Sequence, residues 1–450
     1  MRSQRWTSVG FAGRLFSAVL VCSTLIITTW VWFQPHSTAG QTEATNRIAY
    51  IGSDGNVYTV KVDGTDTQAL TTDALISRTG TGVTYLYPTW SPGSRHLAFV
   101  GTRTQGGRTV QANLYVAPVD GGNRITAFAS QQSFPFYLYW APDNQQIAFL
   151  TQETSGLFLR LGYRDPERQH RILEQGNPFY LSWSPDSQKL LFHIGGAARF
   201  SSQARLSVLE VADEGQLVTL PDLPALFQAP AWSPGGDRTL FAAQQGAGSD
   251  ILVVADVQGQ AQQRLLNFEG IIAFGWSPSG NQVAYIVAAD PTLGLIGLLS
   301  RIRADGTDRR RLADEPVMAF FWSPDARKIA YLVPSLGPSQ PEPEPFVPAA
   351  MGTATAQQGE LLLTWHVVEL EGEFSRSLVT FRPSNDFLLY LSFFDQYAQS
   401  LTFWSPSSRY LIYSGRGEDG REGIWVIDTT QDKPTPQFLV EGTMATWSWR

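Results

Sequence analysis

Three tyrosines stand at one repeated distance from a tryptophan: Tyr87, Tyr137 and Tyr180 each lie three residues before Trp90, Trp140 and Trp183. Phe134, Phe136, Tyr139 and Phe179 flank them. The chemistry such a set offers is stacking, an aromatic patch of Tyr87, Phe136, Tyr137, Phe179 and Tyr180 that receives a sugar ring or a peptide side chain. The same rings would serve as interior packing if the segments carrying them lie against one another.

Other chemistries find little to work with. His36, His96, His170, His193 and His366 are scattered and form no His-x-x-x-His pair, and the single Cys22 excludes a disulfide framework and a cysteine zinc cluster. No metal site, cofactor or catalytic residue is therefore expected. There is also no Gly-x-Ser-x-Gly elbow for a serine hydrolase.

The elements that would position the aromatics come from a repeat. Seven Trp-Ser/Ala-Pro tripeptides begin at Trp90, Trp140, Trp183, Trp232, Trp276, Trp322 and Trp404, with separations of 50, 43, 49, 44, 46 and 82 residues. A period of about 45 residues with strand-like content is one four-stranded propeller blade. Each unit reads as a short apolar strand ending in Trp, then a Pro-set turn such as Ser184-Pro185-Asp186-Ser187. A second strand follows, such as Lys328-Ile329-Ala330-Tyr331, and then a third, such as Ile251-Leu252-Val253-Val254. Asp-Gly turns at Asp63, Asp120 and Asp305 lead to the fourth. A calcium loop at these aspartates would need several ligands at fixed offsets.

The 82-residue gap holds one blade with a Pro-rich insertion at 334–359. The segments from Arg47, Val57 and Gln68 match the second to fourth strands without a first, and Thr446 to Trp449 resembles a first strand without the rest. Together they make an eighth blade. The expected fold is an all-β, eight-bladed β-propeller over 47–450, closed by its N- and C-terminal strands, which removes exposed sheet edges.

In this scheme the long connections share one face: 101–111, 193–204, 287–297, 333–359 and 382–399. The connections between blades on that face hold Asp73, Glu174, Asp222, Glu269, Asp314, Glu315, Asp386, Asp395 and Glu441 against Arg78 and Arg382, a net −7. This acidic face is either solvated loop charge or the docking surface for a basic partner. The innermost strands contain no charged residue or histidine, so catalysis would have to come from loops.

The Trp-Ser-Pro-Asp turn followed by Lys/Gln-Ile-Ala-Tyr/Phe resembles the TolB-like propeller repeat, also seen in the propeller domains of the dipeptidyl-peptidase and prolyl-oligopeptidase families. The resemblance covers 47–450 and implies an exported binding scaffold. TolB itself is six-bladed, so its particular partner is not carried over. The dipeptidyl-peptidase relatives are eight-bladed but append a hydrolase domain, for which the repeats here leave no room.

Residues 1–46 carry a net +2 from Arg2, Arg5, Arg14 and Glu43, leaving −9 on the remainder of a chain whose total is −7. Nucleic acid is disfavoured as a partner. Phe16 to Phe33 is a largely apolar stretch of 18 residues, long enough to cross a bilayer as one helix. The preceding arginines hold residues 1–15 in the cytoplasm and send the rest across, through a linker at 34–46. Ser37-Thr38-Ala39 offers a cleavage site, so a secreted or periplasmic product is the alternative to a membrane anchor. The expected function is non-catalytic binding of a protein, peptide or glycan through the long-loop face. The alternative is a hydrolase or lyase of peptide or glycan with loop-borne residues.

Overall fold

A computed structural model of the chain describes residues 46–77, 80–212, 215–246, 249–290, 294–337 and 360–450. The apolar segment 16–33, its flanks, Arg78 and most of the 334–359 insertion lie outside these. Among the described residues no helix is long and apolar enough to cross a membrane.

Among the described residues, six four-stranded antiparallel sheets and one seven-stranded sheet make up a β-propeller. In the first sheet Gly82–Trp90 pairs with His96–Gln105, then Arg108–Pro118, then Ile125–Ser130. The Trp-bearing strand is thus the innermost of its sheet. After each Trp the chain reverses through a turn in which Ser94, Asn144, Ser187, Ala326 and Ser408 have φ of 56–64° and Gly236 and Gly280 have 70–75°. Pro sets the first turn angle, and one residue then takes the left-handed region before the second strand begins.

The tryptophans also lock neighbouring sheets. Trp140 Nε1 donates to Thr89 O (3.1 Å), Trp183 to Tyr139 O (3.1 Å), Trp322 to Gly275 O (3.3 Å) and Trp404 to Phe321 O (3.0 Å). In every case the acceptor is the residue just before the preceding repeat's Trp. Trp90 extends the rule across the chain ends, donating to Thr446 O at 3.2 Å. There Gly442–Trp447 pairs with Arg47–Gly52, matching Ile48 with Trp447 and Ile51 with Thr443. Trp90, Trp404 and Trp447 are fully buried, each contributing about 1.5–3 kcal/mol of apolar burial.

Several expected features are corrected. The seven-stranded sheet arises because Phe374–Pro383 runs on to Tyr410–Arg416 through the pairs Arg382–Arg416 and Pro383–Gly415. The short apolar strand expected to end at Trp404 is a single bridge, Trp404 to Leu411, and the one expected to end at Trp232 is only Ala231–Trp232. The stretch 101–111 is no long loop: its two strands stay paired as far as Gln105 and Arg108, around Gly106 and Gly107. The 334–359 insertion starts later, since Pro334, Ser335 and Leu336 pair with Leu363, Leu362 and Leu361. The last strand ends at Trp447 instead of Trp449. Finally, 382–399 folds into two helices, α1 (Asn385–Ser392) and α2 (Phe394–Tyr397), that leave the all-β pattern.

Candidate functional site

The two helices form a plug inside the ring of inner strands. α1 begins at Ser384, whose hydroxyl accepts from Phe387 N (3.2 Å), with Asp386 in its first turn. Both features favour a helix N-terminus. Phe387, Tyr390, Leu391 and Phe394 are buried against the propeller, with Phe394 edge-on to Phe320 (5.1 Å) and Phe387 against Phe403 (5.1 Å).

An innermost strand faces the channel with main-chain groups that have no further strand to pair with. The plug supplies those partners from side chains. Gln396 Oε1 accepts from Leu181 N (2.7 Å) and its Nε2 donates to Leu181 O (2.8 Å), so the amide acts as one residue of a missing strand. Tyr137 Oη donates to Gln396 O (3.0 Å) and accepts from Gln396 Nε2. Asp395 Oδ2 accepts from Ala229 N (3.0 Å), and Gln399 Nε2 donates to Pro230 O (3.1 Å).

The structure brings the five aromatic residues singled out from sequence to one place. Tyr87, Phe136, Tyr137, Phe179 and Tyr180, with Leu150, Leu157, Leu389, Phe393 and Tyr397, wall a cavity of about 270 Å³. That is at the small end of ligand pockets, enough for one ring or branched side chain. Tyr87 and Tyr137 sit there with φ of 56° and 46°, each at a break in strand register. A left-handed bulky residue costs on the order of 1–3 kcal/mol and persists only where the surroundings impose it. Met444, the corresponding residue of the closing strand, shares the conformation at 54°, and its sulfur accepts from Tyr87 N (3.3 Å). Burial raises the pKa of Tyr137 and Tyr397, and that of Tyr180 with help from the nearby Asp395 charge. The cavity is therefore uncharged at any ordinary pH. Phe393, 39% exposed, stands on its rim.

Much of the acidic set is buried or already paired. Asp395 is buried in the plug, a correction to its expected place on an exposed loop. Glu174 lies within strand Arg171–Gly176 and pairs with Arg205 (3.2 Å). Asp73 pairs with Arg124 (2.8 Å) and accepts from Tyr85 Oη (2.6 Å); the Arg124 hydrogen bond foremost holds its carboxyl down at about 2. Asp314 pairs with Arg311 (3.6 Å), and Asp386 accepts from Thr443 Oγ1 (2.8 Å). Glu269, Glu315 and Glu441 are exposed at connections, and Asp222 is half-buried.

Among the described residues no group of His, Cys, Asp and Glu is arranged to hold a metal. His193 is buried between main-chain oxygens of Gln228 (3.1 Å) and Gly196 (2.8 Å), stacked on Phe227, and burial lowers its pKa.

No family model and no curated protein matches the chain. Solved structures do. TolB from Acinetobacter baumannii is 17% identical with a TM-score of 0.36, over 60% of this chain and 63% of that one. The match thus spans less than two thirds of that protein. Periplasmic gluconolactonase of Pseudomonas aeruginosa is 14% identical with a TM-score of 0.43, over 75% and 96%. An oligogalacturonate lyase in complex with manganese is 13% identical with a TM-score of 0.40, over 88% and 86%. The chain is similar to TolB-like propellers. These likenesses bear on the fold alone, and they embrace enzymes as well as TolB.

Proposed function

We propose that the chain is an eight-bladed propeller that binds an apolar side chain of a peptide or protein partner in the aromatic cavity, without catalysis there. The observation that carries this reading is the convergence of Tyr87, Phe136, Tyr137, Phe179 and Tyr180 on one cavity whose lining includes no carboxyl, imidazole, amine or thiol. General acid–base chemistry would have only tyrosine phenols to use there, and burial raises their pKa values further from neutrality. Against a sugar, the amide of Gln396 is already committed to Leu181 and Tyr137, which leaves Asn177 and tyrosine hydroxyls as the polar part of a mainly apolar lining. Leucines at 150, 157 and 389 favour an aliphatic or aromatic anchor instead.

The count of eight rests on six four-stranded sheets plus a seven-stranded one that divides at Pro383, with Trp404 beginning the seventh unit. We also propose that Phe16 to Phe33 tethers the propeller outside the cytoplasmic membrane, since the run is long, apolar and preceded by arginines only.

Peptide display on the full-length chain tests the binding proposal. Selected peptides should share a Phe, Trp, Leu or Met whose replacement by Ala weakens binding at least ten-fold, and Tyr180→Ala in the protein should do the same. Selected peptides that lack an apolar anchor and ignore Tyr180→Ala would refute it.

A further inference from the structure

On the other side of the plug the channel opens again, toward the Trp-Ser-Pro turns. This funnel of about 580 Å³ has a wall of tryptophans from successive repeats, among them Trp183, Trp276 and Trp404, and the plug as its floor. We propose that the funnel is a second ligand site, for a small primary amine with an aromatic or aliphatic body, its ammonium group meeting Asp395.

Three observations carry this. First, Asp395 is the only charged residue type in the lining, which contains no Lys, Arg or His to compete for it. Its oxygens accept from Gln396 N (3.0 Å) and Ala229 N (3.0 Å), one bond each, so each keeps a free lone pair for an N–H donor. Second, a carboxylate that is 4% exposed and has no cationic partner among the described residues is poorly solvated, and an arriving ammonium supplies the missing counter-charge. Third, the regular bonding of the wall lapses in two of the repeats that line this funnel. Trp232 and Trp276, 7% and 9% exposed, have indole N–H groups with no partner among the described residues, while Trp90, Trp140, Trp183, Trp322 and Trp404 all donate to the neighbouring repeat. Trp232 follows the stretch at Ala229 and Pro230 that is bonded to the plug, and Trp276 lines the same funnel one repeat on. Departures from an otherwise repeated rule concentrate where a site has been built.

Burial also pushes the Asp395 carboxyl up to about 7. The titratable side chains around it are Tyr139, in the funnel wall, and Tyr180, both kept neutral by burial. Amine binding below that pH must therefore displace a proton from Asp395 to solvent, and affinity falls up to ten-fold per pH unit.

Calorimetry of the full-length protein with phenethylamine and its neutral analogue 2-phenylethanol tests the proposal. At pH 8 the amine should bind at least ten-fold more tightly, and at pH 5.5 that preference should shrink at least ten-fold. Asp395→Asn should abolish the preference at both pH values while sparing the alcohol. Ala398→Phe, which fills the funnel from its floor, should block both ligands without changing the melting temperature. Equal affinity for amine and alcohol at pH 8, or no binding of either at millimolar concentration, would overturn the proposal. So would a preference that survives Asp395→Asn. If that variant does not fold, the pH dependence in the unaltered protein and the loss of binding in Ala398→Phe decide between the two outcomes.

Discussion

The propeller wall and the plug it encloses are both aromatic and buried, yet they are held by opposite means. In the wall a local turn follows each Trp, and an indole bonds the preceding sheet at the same main-chain position, as Trp140 does to Thr89 O and Trp404 to Phe321 O. In the plug each contact is unique: Gln396 on Leu181, Asp395 on Ala229, Gln399 on Pro230. The carboxyls differ in the same way. Asp73 in the wall is ionised, half-exposed and paired with Arg124, whereas Asp395 in the plug is held by main-chain N–H groups. A repeated wall distributes stability among equivalent joints. A plug built from single bonds concentrates function and vulnerability in a few side chains.

The sharpest way to break the wall is at its closing joint. Truncation after Gly442 removes Met444 and Trp447, both buried, at about 1.5–3 kcal/mol each, and takes away the acceptor of Trp90 and the partner of Arg47–Gly52. Against a typical net stability of roughly 5–15 kcal/mol this should leave an aggregating protein with no cooperative melt. A melt like that of the intact chain would show that the termini do not share a sheet.

The two carboxyls should respond to pH with opposite sign. Asp395 has its folded-state pKa raised to about 7 from an ordinary 3.8, so its contribution is complete below pH 4 and is lost as pH climbs to 7. The slope is about 1.4 kcal/mol per pH unit, about 4 kcal/mol over the window. Asp73, lowered to about 2, works the other way: its contribution is present above pH 4 and lost as pH falls toward 2. Urea titrations of Asp395→Asn should show stability gained at pH 8 and a flatter profile between 4 and 7. An unchanged profile would contradict the buried placement.

Smaller effects sharpen the contrast. Gln396→Ala leaves the N–H and C=O of Leu181 without their side-chain partner, a loss of about 2–4 kcal/mol measurable by denaturant unfolding. Replacing 338–359 by Asn-Gly should cost less than about 1 kcal/mol, because Gly337 N already bonds Glu360 O at 2.8 Å and a two-residue turn can close that hairpin. A larger loss in a thermal melt would mean that the insertion packs on the wall.

The wall was readable from the chain because its determinants are local: Trp, Ser and Pro in fixed order, then a small and aliphatic second strand. The five aromatic residues of the cavity were readable by their offset from those tryptophans. What makes them a cavity was not. Gln396 meets Leu181 and Tyr137 across 215 and 259 residues, and no spacing rule links such positions. Some signal existed locally, since Ser384 with Asp386 and the apolar Phe387, Leu388 and Leu391 has the cap and period of a helix. Within a long connection between strands those residues read as loop, and Asp395 consequently as surface charge.

The central claim is that plug side chains complete the inner edges of the wall and thereby divide the channel into two cavities. Amide hydrogen exchange on the full-length protein and on Gln396→Ala tests it most directly. The account predicts that the Leu181 amide exchanges at least ten-fold faster in the variant, while that of Val116, in a strand paired on both sides, stays as it was. An unchanged rate at Leu181 would mean that Gln396 does not hold that edge, and the plug would lose its role.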